Sequence, residues 1–152
     1  MEVQILTEHF SLEEFTRSST ALQSGICNEP SIEVISNLQN LCQEVLEPLR
    51  LHYGKPIHIS SGYRCKELNN KVGGVKNSQH LKGEAADLLV PSVKIAKEWF
   101  EWIQQNCRNY DQCILERNKH GKYWLHVSAR RELHMNRHQA FLKFPSISNH
   151  IL

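Results

Sequence analysis

Apolar side chains recur along the chain in two periods, and each period marks its own kind of element. Ile32, Ile35, Leu38, Leu41, Cys42, Val45, Leu46 and Leu49 fall every three or four residues. That stripe predicts an amphipathic helix over residues 31–51, with Ser31 after Pro30 as its N-cap. Pro48 is expected to kink or tighten the last turn. Val93, Ala96, Trp99, Phe100 and Ile103 predict a second helix over residues 93–106. Trp99 and Trp102, at helical spacing, read as core rather than as a ligand platform. A short helix is expected from Ser11, where the Ser11–Glu14 capping box sits between Phe10 and Phe15.

The second period is two. Residues 57–60, 85–90, 110–116 and 123–128 alternate or run β-branched and aromatic, and read as strands. In the last of them alternation puts Trp124, His126 and Ser128 on one face. Residues 17–30, rich in Ser, Thr, Asn and Gly, read as a loop, and residues 117–122 as a hairpin turn. Val72-Gly73-Gly74-Val75 lacks the lysine-hydroxyl pair of a phosphate cradle and reads as a turn.

Together these elements predict an α+β domain, two main helices packed on a small antiparallel sheet of four strands. At 152 residues the chain is long enough for one such core and too short for two. Residues 1–30 form an N-terminal extension with its short helix. Residues 129–152 form a C-terminal segment made basic by Arg130, Arg131, Arg137 and Lys143, with Phe141 and Phe144 to dock it. His134 and His138 are four apart but lack the glutamate of a His-Glu-x-x-His protease motif, and read as a solvated face.

Composition narrows the function. A net charge of +2 is too mild for a nucleic-acid binder. No apolar run is long enough to cross a membrane. The five cysteines are odd in number and form no Cys-x-x-Cys pair, which points to reduced thiols rather than a disulfide framework or zinc ribbon. Glu2 stands where a signal peptide wants a base, so a chain cytoplasmic as synthesised is expected.

The candidate chemistry lies in Ser78-Gln79-His80-Leu81-Lys82-Gly83-Glu84-Ala85-Ala86-Asp87. Imidazole and carboxylate are standard zinc ligands. Their separation suits a loop histidine folded back beside an aspartate entering a strand, with Gly83 freeing the turn. A catalytic zinc site needs three protein ligands, and His126 is the best third candidate. Arg64, at the end of the strand that carries Ser60-Ser61-Gly62-Tyr63-Arg64, can be aimed into a cleft, where its guanidinium suits a carboxylate or carbonyl.

Ser-x-His-x-x-Gly-x-Ala-x-Asp at residues 78–87, Ser-Ser-Gly-Tyr-Arg upstream and Trp-Leu-His-Val-Ser downstream resemble the zinc D-Ala-D-Ala carboxypeptidase family of peptidoglycan peptidases. That family includes phage L-alanyl-D-glutamate endolysins and is similar in fold to the hedgehog signalling domain. The resemblance runs from about His9 to Ser128. It implies a zinc peptidase acting on peptidoglycan stem peptides, with His80, Asp87 and His126 on the metal and Arg64 near it as a catalytic and substrate-binding residue. Tyr63 and Ser78 are expected to contact substrate. A monomer is expected, reaching the cell wall after release, as a phage or prophage lysis protein would.

Many members of the family it resembles place a glutamate three residues before the last zinc histidine, and here that position is Tyr123. Glu116 is the nearest acid. Paired opposite Trp124 it would share the His126 face; paired opposite Tyr123 it would face away. His120 in the hairpin loop is the second candidate base. The other reading is a non-catalytic zinc module that uses a hedgehog-like fold for cell-wall or protein binding.

Overall fold

A computed structural model describes residues 2–145. Residues 146–152, the end of the basic segment, lie outside them.

The chain starts with a two-stranded ladder, β1 (Ile5–Thr7) and β2 (Phe10–Ser11), which leads into α1 (Leu12–Thr16). The capping box forms as expected, with the Ser11 N–H donating to the Glu14 carboxylate at 2.6 Å. Phe10 and Phe15 are both buried. The loop expected over residues 17–30 holds a helical turn, α2 (Ser19–Gln23). Its signal is local: the Ser18 hydroxyl accepts from the Ala21 N–H at 3.1 Å, and a serine-rich stretch supplied a cap as readily as a loop.

The long helix begins at Ser31, whose hydroxyl accepts from the Val34 N–H. It comprises α3 (Ile32–Leu41), a wider π turn (Cys42–Leu46) and α4 (Glu47–Tyr53). The turn before Pro48 widens rather than tightens. A proline ring clashes with the carbonyl four residues back, and a wider turn relieves that clash. Ile32, read into the apolar stripe, is exposed at the first helical position.

After β3 (Ile59–Ser61) and α5 (Lys66–Lys71), a 3₁₀ turn (Gln79–Lys82) delivers the chain to β4 (Ala85–Leu89). Then come α6 (Val93–Asn106), β5 (Gln112–Arg117) and β6 (Tyr123–Ser128). A final strand, β7 (Gln139–Lys143), falls in the segment for which no strand was expected. The sheet order is β3-β4-β6-β5-β7. Four strands are antiparallel to their neighbours as predicted, but β7 runs parallel to β5, so the sheet is mixed. The direction follows from where β6 stops. Ser128 lies opposite Gln112, and Gln112 also faces Gln139. Residues 129–138 need only round that end of the sheet, and β7 then sets off in the same sense as β5.

Alternation separates the two faces of the sheet. Ala86 and Leu88 of β4, Cys113 and Leu115 of β5, and Leu125 and Val127 of β6 pack in one core with Trp99, Ile103, Leu38 and Leu49. Each large side chain fully buried there contributes about 1.5–3 kcal/mol. Asp87, His126, Trp124 and Glu116 occupy the face opposite the long helix. Trp99 is core, as read, and Trp102 stacks on His52 at the helix surface. All five cysteines are free. Among the described residues no helix is long and apolar enough to cross a membrane.

Candidate metal centre

Asp87 lies directly opposite His126 across the β4–β6 ladder. Antiparallel pairing of these two strands therefore suffices to set a carboxylate beside an imidazole: His126 Nδ1 is 3.0 Å from Asp87 Oδ1. His80 comes from the 3₁₀ turn. Ser78 caps that turn through the His80 N–H, and Gly83 closes it at φ 73°. A side chain at Gly83 would meet the Val34 carbonyl at 2.7 Å, so glycine is required for both angle and room.

His80 is buried, and its tautomer is fixed. Nδ1 lies 2.7 Å from the Gly62 carbonyl, which can only accept, so Nδ1 carries the proton. Nε2 is left as the free donor and points at Asp87 Oδ1, 3.5 Å away. One donor atom from each of His80, Asp87 and His126 lies within 4.8 Å of the others, and this is the candidate metal cluster among the described residues. Burial raises the Asp87 carboxyl, but the hydrogen bond with His126 and the His80 ring beside it outweigh that and hold the group well below the usual carboxylate range. Two imidazole nitrogens and one ionised carboxylate form a donor set that fits zinc.

Arg64 is tied to this cluster by its backbone, whose N–H donates to the His80 carbonyl at 3.1 Å. Its guanidinium reaches Ser78 Oγ at 3.4 Å, and its Nε–H is buried without a partner. Burial lowers the Arg64 pKa and the Asp87 charge opposes the shift. Ser78 is itself buried and stands behind Arg64 and His80, holding both. Tyr63 is partly exposed, and its N–H donates to the Phe15 carbonyl at 2.7 Å.

The register of β5 puts Glu116 opposite Trp124, on the His126 face. Its carboxylate accepts from Trp124 Nε1 at 2.7 Å and faces Lys143 Nζ at 3.7 Å. It is not one of the three clustered donors; Ile114, two residues earlier, is the β5 residue opposite His126. His120 is exposed at the hairpin tip. His134 is exposed in a 3₁₀ turn (Leu133–Met135), and the His138 ring bonds the Arg108 carbonyl at 2.6 Å, so the pair shares no helix face.

The sequence of the Peptidase M15 family matches this chain over residues 8–128. The chain belongs to the Peptidase M15 family. The matched span takes in all three clustered donors, Arg64 and Glu116. A 34-residue stretch of this chain is 50% identical to the zinc D-Ala-D-Ala carboxypeptidase of Streptomyces albus G. That stretch is 22% of this chain and 13% of the relative's length.

Two residues of the site carry no readable motif. Gly62 acts through its carbonyl, and its only sequence signal was the Ser-Gly-Tyr-Arg context. Asn28 sits in the 17–30 segment and bonds three backbone groups, the carbonyls of Thr16 and Tyr63 at 3.0 Å each and the Cys65 N–H at 2.8 Å. It pins the arm that carries Tyr63 and Arg64, and nothing in its local sequence separates it from an ordinary loop asparagine.

Proposed function

We propose that the protein is a zinc-dependent peptidase that hydrolyses peptidoglycan stem peptides, with His80, Asp87 and His126 holding the metal. The observation that carries the reading is the convergence of the three donors, with His80 Nε2 left free by the Gly62 bond. When bound, zinc supplies Lewis acidity, acidifying water and polarising a peptide carbonyl. Glu116 takes the proton of the attacking water and hands it to the leaving amine. Arg64, with an unused buried N–H, holds a substrate carboxylate or the oxyanion. Tyr63 borders the substrate, and Ser78 steadies Arg64.

One observation favours the alternative of a non-catalytic zinc module: the Glu116 carboxylate is engaged by Trp124 and Lys143 rather than gathered with the three donors. Digestion of purified peptidoglycan separates the two. The peptidase releases peptide fragments with new amino termini, identified by mass spectrometry, and a chelator abolishes them. A zinc-loaded protein that releases no fragment from several stem-peptide types supports the module.

A further inference from the structure

Beside the metal cluster lies a second recognition element. A cavity of about 500 Å³ opens between the α1–α2 corner and the outer edge of β3. One wall is Arg17, Ser18, Ser19 and Thr20; the other is β3 with Tyr63 and Arg64. The cavity abuts the metal cluster, because Gly62, which lines it, is the residue whose carbonyl holds His80. Its two walls are fastened to each other. The Tyr63 N–H bonds the Phe15 carbonyl, and Asn28 bridges the Thr16 and Tyr63 carbonyls. The groove is therefore formed before any ligand arrives, which lowers the ordering cost of binding.

Its charge is one-sided. The lining holds two guanidinium groups, several hydroxyls and no carboxylate. Arg17 makes no ion pair among the described residues, and the acid whose charge acts on Arg64 is Asp87, on the metal side. The larger cavity of about 670 Å³ behind the metal loop differs: Lys82, Arg130 and Arg131 there are balanced by Glu33, Glu84 and Glu132. A balanced lining does not select a sign of charge, whereas the groove does.

We infer that the groove is a subsite for a peptide carrying a second carboxylate, bound by Arg17, in addition to the group taken by Arg64. This rests on the peptidase reading and names the substrate class it prefers: acidic stem peptides over the same peptides with that carboxylate amidated. Arg17 is a specificity residue here, exposed at the end of α1 and not one of the three clustered donors.

The test uses the zinc-loaded full chain carrying Glu116→Gln, to suppress turnover, and two probes. One is N-acetyl-L-Ala-γ-D-Glu-L-Lys-D-Ala-D-Ala with the glutamate α-carboxylate free; the other has that group as the amide. Calorimetric titration at low salt should show the acid bound about fivefold more tightly, the scale of one partly exposed charge pair. Raising the salt should narrow the gap. Arg17→Gln, a surface change that leaves the core alone, should bind the two probes alike. Equal binding of both probes by the parent, a preference that survives Arg17→Gln, or binding of neither overturns the subsite. If the preference is found and lost as expected, yet the chain with Glu116 intact cleaves neither probe, the subsite stands and the peptidase reading falls.

Discussion

Glu116 and Trp124 face each other across the β5–β6 ladder, and the indole N–H donates to the carboxylate at 2.7 Å. Lys143, opposite Glu116 on the other side, completes a three-strand row on the metal face. The row fixes where the carboxylate can reach, so its two neighbours act as positioning residues. Glu116→Gln preserves shape and removes the base; turnover of stem peptides should fall about a hundredfold or more while zinc content is unchanged. Trp124→Phe keeps the ring and removes the bond, and a smaller loss in kcat is expected with KM little altered. Steady-state kinetics on both variants checks this. If Glu116→Gln is as active as the parent, the base lies elsewhere.

Two glycines hold the His80 turn in place. A Cβ at Gly62 would lie 2.6 Å from the Phe15 Cα and carbonyl oxygen, both backbone atoms that cannot yield alone. Gly62→Ala should destabilise the fold by about 1–3 kcal/mol, the usual cost of overpacking. It should also shift the imidazole nitrogen resonances of His80, because the carbonyl that holds Nδ1 moves. Gly83→Ala adds a left-handed backbone to a close Val34 contact, and should cost at least as much. Thermal unfolding and histidine NMR read both effects, and an unshifted His80 in a folded Gly62→Ala protein would contradict the tether.

Asp111 anchors the end of the sheet around which the chain passes to β7. It is fully buried, and Arg137 binds it through two nitrogens, at 3.0 and 2.7 Å. Burial raises this carboxyl, but the bonds from Arg137 outweigh it and leave the folded pKa below the ordinary value. A group depressed on folding contributes its stability above the unfolded pKa, about 3.9, and loses it as pH falls through the lower folded value. Stability should therefore decline below about pH 4. Asp111→Asn should cost about 2–3 kcal/mol at neutral pH, at the low end for a broken buried pair because Arg137 keeps solvent contact. Its unfolding free energy should also change less than the parent's over the acid window, as denaturant titrations at several pH values would show.

Elements whose own pattern faces a core were legible in the chain. The Leu38–Leu49 stripe, the Ser11–Glu14 box and the alternation through His126 each report a local rule that tertiary packing obeys. β7 was not legible, because Phe141 and Leu142 are exposed on an edge strand and no alternation marks them. Its partner β5 is also distant in sequence. The Glu116 register was undecidable for a different reason. It depends on the hairpin loop, where the Asn118 side chain accepts from the N–H groups of His120 and Lys122 and closes the turn so that Arg117 pairs with Tyr123. The donor residues of the metal cluster were readable from residue type and spacing. Their support by Gly62 was not, because a backbone carbonyl leaves no signature in the side-chain sequence.

The metal content of the purified protein bears on the whole account. Elemental analysis after dialysis against zinc, followed by removal of loose metal, should find about one equivalent per chain. His80→Ala and His126→Ala should each lower that uptake sharply, and His134→Ala should leave it unchanged. A folded parent protein that neither carries nor takes up zinc would contradict the assignment of His80, Asp87 and His126 as a metal centre.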